Sequence, residues 1–422
     1  MKMTLTKLAV CKNSNSNMML FGFGKLASLF GTSIYSFAMG LYVLKLTGSG
    51  LSFATTLVLG TLPIIIINPF AGVLADKIDK KKIVVSMDLL NGVILVLLYF
   101  IKLEYGLTLF MIYITTFLLT TFTTVFGTAL EAAKPNIVSE EKLMNINSIG
   151  KILDSSSSIL GPMVGGLIFA FMDIGFFIIL NGISFIISGI SEMFINFNLN
   201  YTKSKNDNKG ISIIKDIKEG FHYMKNKQGV IGLICVFIVL NFFLGLSVSV
   251  PLPYIINEVL KLSPKYFGII QGSFPMGLII GAIFIKKITD KYSYRKILLS
   301  TSQVISFGMI SIGLPMIINS NFNEIFLLIY YSFIMLLIGI MISFIDIPIL
   351  YILQSKIEES FRGRVLSFGI TLGKIALPIA LIISGAIINR IYPYILPTTG
   401  GVLMMIFSMF YFNNIEDVEE IN

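Results

Sequence analysis

The sequence predicts an all-α membrane protein of twelve transmembrane helices arranged as two parallel six-helix repeats, and three observations predict it. The chain is 55% hydrophobic and only 13% charged over 422 residues, about half the charged share of a soluble domain. Its basic residues fall almost entirely on one set of connections. One charged loop pattern also recurs after an interval of six helices.

A spanning helix needs about 20 mostly apolar residues. Twelve segments meet that length: 18–44, 50–74, 83–102, 106–130, 146–171, 174–198, 229–256, 265–286, 296–318, 324–352, 364–389 and 392–413. The polar stretch before Met18 has lysines but no sustained apolar core, so it does not read as a cleaved signal peptide. The first two helices are joined by the short turn Thr47-Gly48-Ser49-Gly50, and the second and third by the dense charge cluster "ADKIDKKK" at 75–82. The long polar connection 199–228 follows the sixth helix, which divides the chain into an N-terminal bundle (1–198), a linker (199–228) and a C-terminal bundle (229–422). Within the linker, Ile214, Ile217, Phe221 and Met224 recur at three- and four-residue steps, the stripe of an amphipathic helix that would lie against the bundle or the lipid headgroups. The single histidine, His222, sits beside that stripe and reads as a solvated side chain.

Of the 32 Lys and Arg residues, 25 lie on the side that carries the N-terminus, the 75–82 loop and the linker. The other side holds five: Lys45, Lys102, Lys261, Lys265 and Arg390. Basic loops stay in the cytoplasm, so both termini are expected there and the chain is expected to be a multi-pass protein of the cell membrane. The formal net charge of +9 is then topology and not a nucleic-acid surface.

Asp76-Lys77 followed by Lys81-Lys82-Ile83 is echoed 214 residues later by Asp290-Lys291 followed by Arg295-Lys296-Ile297. Val138-Ser139-Glu140-Glu141 is echoed 219 residues on at Ile357-Glu358-Glu359-Ser360, and Pro162 is echoed 216 residues on at Pro378. Each pair is six helices apart. An even number of helices per repeat gives both halves one orientation, the organisation of parallel repeats about an axis along the membrane normal.

On these residues the chain resembles the major facilitator superfamily. "AGVLADKIDKKK" (71–82) is similar to its loop signature G-x-L-A-D-[RK]-x-G-[RK]-[RK], matched at Gly72, Leu74, Ala75, Asp76, Lys77, Lys80 and Lys81, with Asp79 in place of the second glycine. "SLFGTSIYSFAMGLYVLKLTGS" (28–49), "KPNIVSEEKL" (134–143), "ILGPMVGG" (159–166) and "RGRVLSFG" (362–369) resemble the bacterial macrolide-efflux branch. The resemblance implies a drug:proton antiporter working by alternating access. It also implies that Gly72, Asp76, Lys80 and Lys81 meet Arg362 and Arg364 as a latch between the halves. Asp76 would there accept from a helix N-terminus, where a carboxylate is favoured.

Charges inside spans are costly and usually face a cavity or a partner. Lys374 and Asp346 in the C-terminal half, and Lys25 and Asp154 in the N-terminal half, are therefore expected as proton-coupling or cavity charges, with Lys374 paired to Asp346. The competing reading is a set of static ion pairs with snorkelling lysines. Glu131 and Glu192 lie near helix ends and read as interfacial. Gly161, Pro162, Gly165 and Gly166 predict a bend, since proline removes a helix hydrogen bond, together with close packing. Phe23, Tyr35, Asn241, Phe242, Phe243, Gln271 and Phe274 are cavity candidates by depth. The fourth helix has no arginine, which departs from many proton-coupled exporters.

Two cysteines and one histidine leave too few soft ligands for a closed zinc site, and no metal or cofactor is expected. Gly24-Lys25, Gly150-Lys151 and Gly373-Lys374 lack the Ser or Thr of a phosphate loop, so ATP drive is not expected either. A membrane-embedded enzyme would need a catalytic cluster that a lone His222 does not supply. The expected partners are a small-molecule substrate, protons and the lipid bilayer, with no nucleic acid, and the expected state is a monomer. Within transporters, export of a siderophore or lysolipid, or uptake, stays open beside macrolide export.

Overall fold

The computed structural model describes residues 2–199, 228–318, 322–356 and 359–414, and every regular element among them is a helix. With no water to satisfy backbone groups inside a bilayer, a chain this apolar closes its hydrogen bonds within helices. Eleven helical stretches are long and apolar enough to span, and the described apolar part of a further helix is Leu372–Ile388. The linker stripe and His222 lie outside the described residues.

Contacts divide the chain into two compact units, Met1–Gly40 with Leu59–Lys209, and Leu41–Val58 with Gly210–Asn422. The first contains most of α1 (Lys2–Thr47), then α3 (Leu62–Lys77), α4 (Lys80–Tyr105), α5 (Leu109–Ile137), α6 (Leu143–Phe171) and α7 (Ile174–Glu192). Its helix starts are set by local chemistry. Asp79 caps α4 by accepting from the Lys81 amide at 2.9 Å, Thr108 caps α5, and Asp173 caps α7 by accepting from Gly175 at 2.7 Å. Asp79 thus stands at a helix start, where its carboxylate takes up one of the otherwise unpaired first-turn amides.

The predicted second helix, 50–74, is two pieces, α2 (Gly50–Leu59) and α3, with Pro63 in the first turn of α3. A proline is tolerated there because that amide has no intrahelical partner.

The second unit holds the α1–α2 hairpin, residues 41–58, with α8 (Gln228–Leu244), α9 (Pro251–Tyr254), α10 (Pro264–Thr289), α11 (Tyr294–Ile318), α12 (Glu324–Lys356), α13 (Glu359–Ile388) and α14 (Ile395–Asn414). The hairpin belongs here because Leu44, Phe53 and Ala54 share a core with Val250, Leu381, Ile388 and Leu396. The Asn389 side chain ties it down, donating to the Gly48 carbonyl at 2.8 Å and accepting from the Gly50 amide at 2.7 Å. The predicted helix 229–256 is broken into α8 and α9 by π-helical turns at Gly245–Ser249 and Ile255–Val259, around the missing amides of Pro251 and Pro253. Helices α10 and α12 approach to backbone contact. A Cβ on Gly277 would lie 2.1 Å from the Leu336 carbonyl oxygen, and one on Gly339 2.2 Å from that of Phe274, the close approach that small residues allow in membranes.

Candidate functional site

Three helices of the N-terminal unit bring four charges together. Lys25 sits on α1, Glu131 and Lys134 one turn apart on α5, and Asp154 on α6. The Lys25 ammonium is 3.0 Å from Glu131 Oε1 and 3.1 Å from Asp154 Oδ1, and Lys134 pairs with the other oxygen of Glu131. Lys25 lies about 16 Å along the helix from Ser14, where its span starts, at 1.5 Å rise per residue. The lysine side chains are only 8% and 7% exposed, whereas Glu131 and Asp154 are 51% and 44% exposed.

The local sequence explains this placement. Gly150 on α6 leaves room for both ammonium groups, since a Cβ there would stand 3.2 Å from Lys134 Nζ and 3.3 Å from Lys25 Nζ. The ring of Phe21 covers them from α1, at 5.9 and 5.8 Å. The four charges balance, which is what holding ammonium groups away from water requires. The half-exposed carboxylates form the wall of an open cavity of about 840 Å³, completed by Lys151, Asn147, Ser148, Leu143 and Met144. Such a wall offers carboxylate oxygens to a cation beside an apolar rim.

Sequence reasoning anticipated Lys25 and Asp154 as in-span charges, and the structure joins them. It also brings in Glu131 as a partner of Lys25. The i,i+3 spacing of Glu131 and Lys134 was the available signal, because residues so spaced share a helix face.

The expected Lys374–Asp346 pair does not form. Lys374 is exposed and Asp346 half-buried, and the ion pairs among the described residues all lie in the N-terminal unit. The reason is packing: α12 rests on α10, and α13 rests on α8, with Gly373 against Phe237. Tyr35 is 2% exposed and so lines no open cavity.

The fifth-helix glycines do pack closely. A Cβ on Gly161 would collide with Ser33, and one on Gly165 would stand 2.9 Å from the Phe37 ring. Gly166 is buried, and Pro162 lies inside the continuous helix α6. Around Gly72, by contrast, an added Cβ would meet nothing within 4 Å among the described residues. The side chains of Asp76, Arg362 and Arg364 lie outside the described residues, and Lys80 and Lys81 are half-buried in the first turn of α4.

A second group was not anticipated. Asp88 on α4 and Glu192 at the end of α7 are 0% and 1% exposed, so Glu192 is interior rather than interfacial. Ser28 on α1 donates to Asp88 Oδ2 at 2.6 Å, and Ser188 on α7 donates to the Gly24 carbonyl at 3.1 Å. At the far end of the unit, Lys102 is 2.9 Å from Asp173. That bond, more than any other contact, holds the Asp173 carboxyl below the usual aspartate range.

The sequence profile of the Major Facilitator Superfamily matches residues 21–381. Macrolide efflux protein A of Streptococcus pyogenes is 25% identical over 87% of this chain and 88% of that protein. Its namesake from Enterococcus faecalis is 25% identical over 79% of this chain and 100% of its own length. Among solved structures, a bacterial homologue of the iron transporter ferroportin in an inward-facing state superposes with TM-score 0.71 at 13% identity, covering 94% of this chain and 99% of that one. The nucleoside transporter NupG does so with TM-score 0.70 at 10% identity, over 96% and 100%. At such identities these two structures speak to fold alone, and their fold is the helical one described above. With a family profile spanning most of its length and a fold shared with solved transporters, the chain belongs to the Major Facilitator Superfamily and is a membrane transporter, not an enzyme.

Proposed function

We propose that the chain exports amphipathic small molecules of the macrolide kind across the cell membrane, by proton antiport and alternating access. The observation that carries this reading is the Lys25 ammonium held between Glu131 and Asp154 on the wall of an open cavity. The names of the relatives, macrolide efflux proteins matched along most of the chain, support the choice of substrate class.

A substrate that carries an amine beside a large apolar body suits such a wall. Its ammonium competes with Lys25 for Asp154, and Lys25 falls back on Glu131, which it already touches. Proton binding within the same helix bundle reverses the exchange and releases the amine. Asp346 and Lys374 serve in this reading as the cavity charges of the C-terminal unit. Gly72, Asp76, Lys80 and Lys81 with Arg362 and Arg364 form the latch that closes one side, and the basic loops and both termini face the cytoplasm. The protein works as a monomer, each copy carrying a complete set of these residues.

The test is drug accumulation in an efflux-deficient bacterial host. Cells expressing the wild-type chain are expected to hold less macrolide than vector controls and to lose that difference when a protonophore is added. Equal accumulation at confirmed membrane expression, across a panel of amphipathic amines, would sink the reading.

A further inference from the structure

We propose that Asp88 and Glu192 form a proton-binding site against α1, on the face adjoining the charged cluster, and that this site couples the proton to transport. Two carboxyl groups present four oxygens, and as carboxylates they can only accept hydrogen bonds. Ser28 supplies one proton, to Asp88 Oδ2. Ser188 stands beside both carboxyls, but its own proton goes to the Gly24 carbonyl. Asp88 Oδ1 and both oxygens of Glu192 are left buried without a donor, as is Asn91 Oδ1 one turn along α4.

Among the described residues, the charges on the surrounding helices do not supply the deficit. On α1, Lys25 turns to Glu131 and Asp154. On α5, Lys134 is held by Glu131. On α4 itself, Lys80 to Lys82 lie about 9 to 12 Å before Asp88 along the axis. At the far ends of α4 and α7, Lys102 and Asp173 pair with each other. Two unpaired negative charges side by side in an apolar bundle are too costly to leave uncompensated. A single proton meets most of this deficit: it removes one charge and creates one O–H donor for the other carboxyl or Ser188 Oγ.

The position gives the proton something to act on. The Glu192 carboxyl rests against α1 at Gly24, so closely that a Cβ there would be 2.6 Å from Oε1. Ser28, one turn on, touches Asp88. Lys25, the residue after Gly24, carries the cavity network. One helix therefore carries the substrate-facing cluster at Lys25 and, on an adjoining face, the contacts to the two acids at Gly24 and Ser28. Gain or loss of the proton changes how firmly α4 and α7 grip that helix. The inference rests on the proton-antiport reading above and names where the proton resides.

The test uses purified full-length chain in liposomes, wild type against Glu192→Gln and Asp88→Asn. Both amides mimic the protonated acid in shape, so melting temperatures close to wild type check the fold. Two readouts follow. Infrared difference spectra should contain the C=O stretch of a protonated carboxylic acid in wild type, and it should be missing from E192Q or D88N. E192Q should lose macrolide accumulation driven by a pH gradient while drug-for-drug exchange persists. The proposal fails if the acid band is absent from wild type or survives both substitutions. It also fails if E192Q keeps full pH-driven accumulation, or if a sodium gradient alone drives wild type. If wild type exchanges drug but shows no pH-driven movement, the antiport reading fails, while the infrared band still reports on the proton itself.

Discussion

In the N-terminal unit, two lysines lie within the helix bundle with their charge met by Glu131 and Asp154, and two further acids are fully buried. In the C-terminal unit, Asp346 and Lys374 make no ion pair among the described residues, and Gly277 and Gly339 bring α10 and α12 to backbone contact. The loop echo at Asp76 and Asp290 marks the two units as repeats, yet their interiors have taken different courses. A repeated fold constrains where helices begin and end, and leaves the chemistry of each bundle free. One unit has gathered charged and acidic groups in its interior, and the other brings two helices to backbone contact.

Four substitutions sharpen or break that contrast, from the largest expected effect down. Gly339→Leu drives a side chain into the Phe274 carbonyl and should cost about 4 kcal/mol or abolish folded protein; a melting curve near wild type would show that the C-terminal interlock is looser than described. Glu131→Gln strips Lys134 of its carboxylate and leaves Lys25 with Asp154 alone. Because the two lysines are buried but Glu131 is half-exposed, the loss should be about 2 kcal/mol, seen as a lower melting temperature together with loss of export.

Asp173→Ala removes the cap of α7 and should cost about 1 kcal/mol at neutral pH. Because Lys102 holds that carboxyl below its usual range, its contribution is present above the unfolded aspartate value, about 4. It is lost as pH falls through the folded value. The gap between wild type and D173A should therefore close in acid, and a gap that widened would contradict the pairing. Lys374→Ala should change stability by no more than about 0.5 kcal/mol, since Lys374 is exposed. A cost equal to that of E131Q would erase the difference between the units.

Much of the fold was legible because hydropathy alone fixes where a chain can span. The breaks inside the second and seventh predicted helices were marked by Pro63, Pro251 and Pro253, but length in apolar residues does not register a turn. Asp79 looked like the loss of a glycine turn, yet its placement just before a helix makes it a cap. Lys25 and Asp154 stood out because charge is rare in a span. Their link to Glu131 did not, since it joins residues 106 positions apart. The Lys374–Asp346 expectation failed because neighbours in sequence order are not neighbours in packing, α12 lying on α10 and α13 on α8. Asp88 and Glu192 were illegible for a related reason. An acid in an apolar run shows its cost in the sequence, but which face it occupies is settled only by the helices that close over it.

The central claim is that the Lys25–Asp154–Glu131 network holds a substrate whose export is exchanged for a proton. It is tested most directly by macrolide accumulation in inside-out proteoliposomes under an imposed pH gradient, wild type beside Asp154→Asn. Wild type should concentrate the drug only while the interior is acidic, and D154N, folded and correctly inserted, should fail to do so. Equal accumulation by both proteins, or accumulation by wild type without any gradient, would contradict the account.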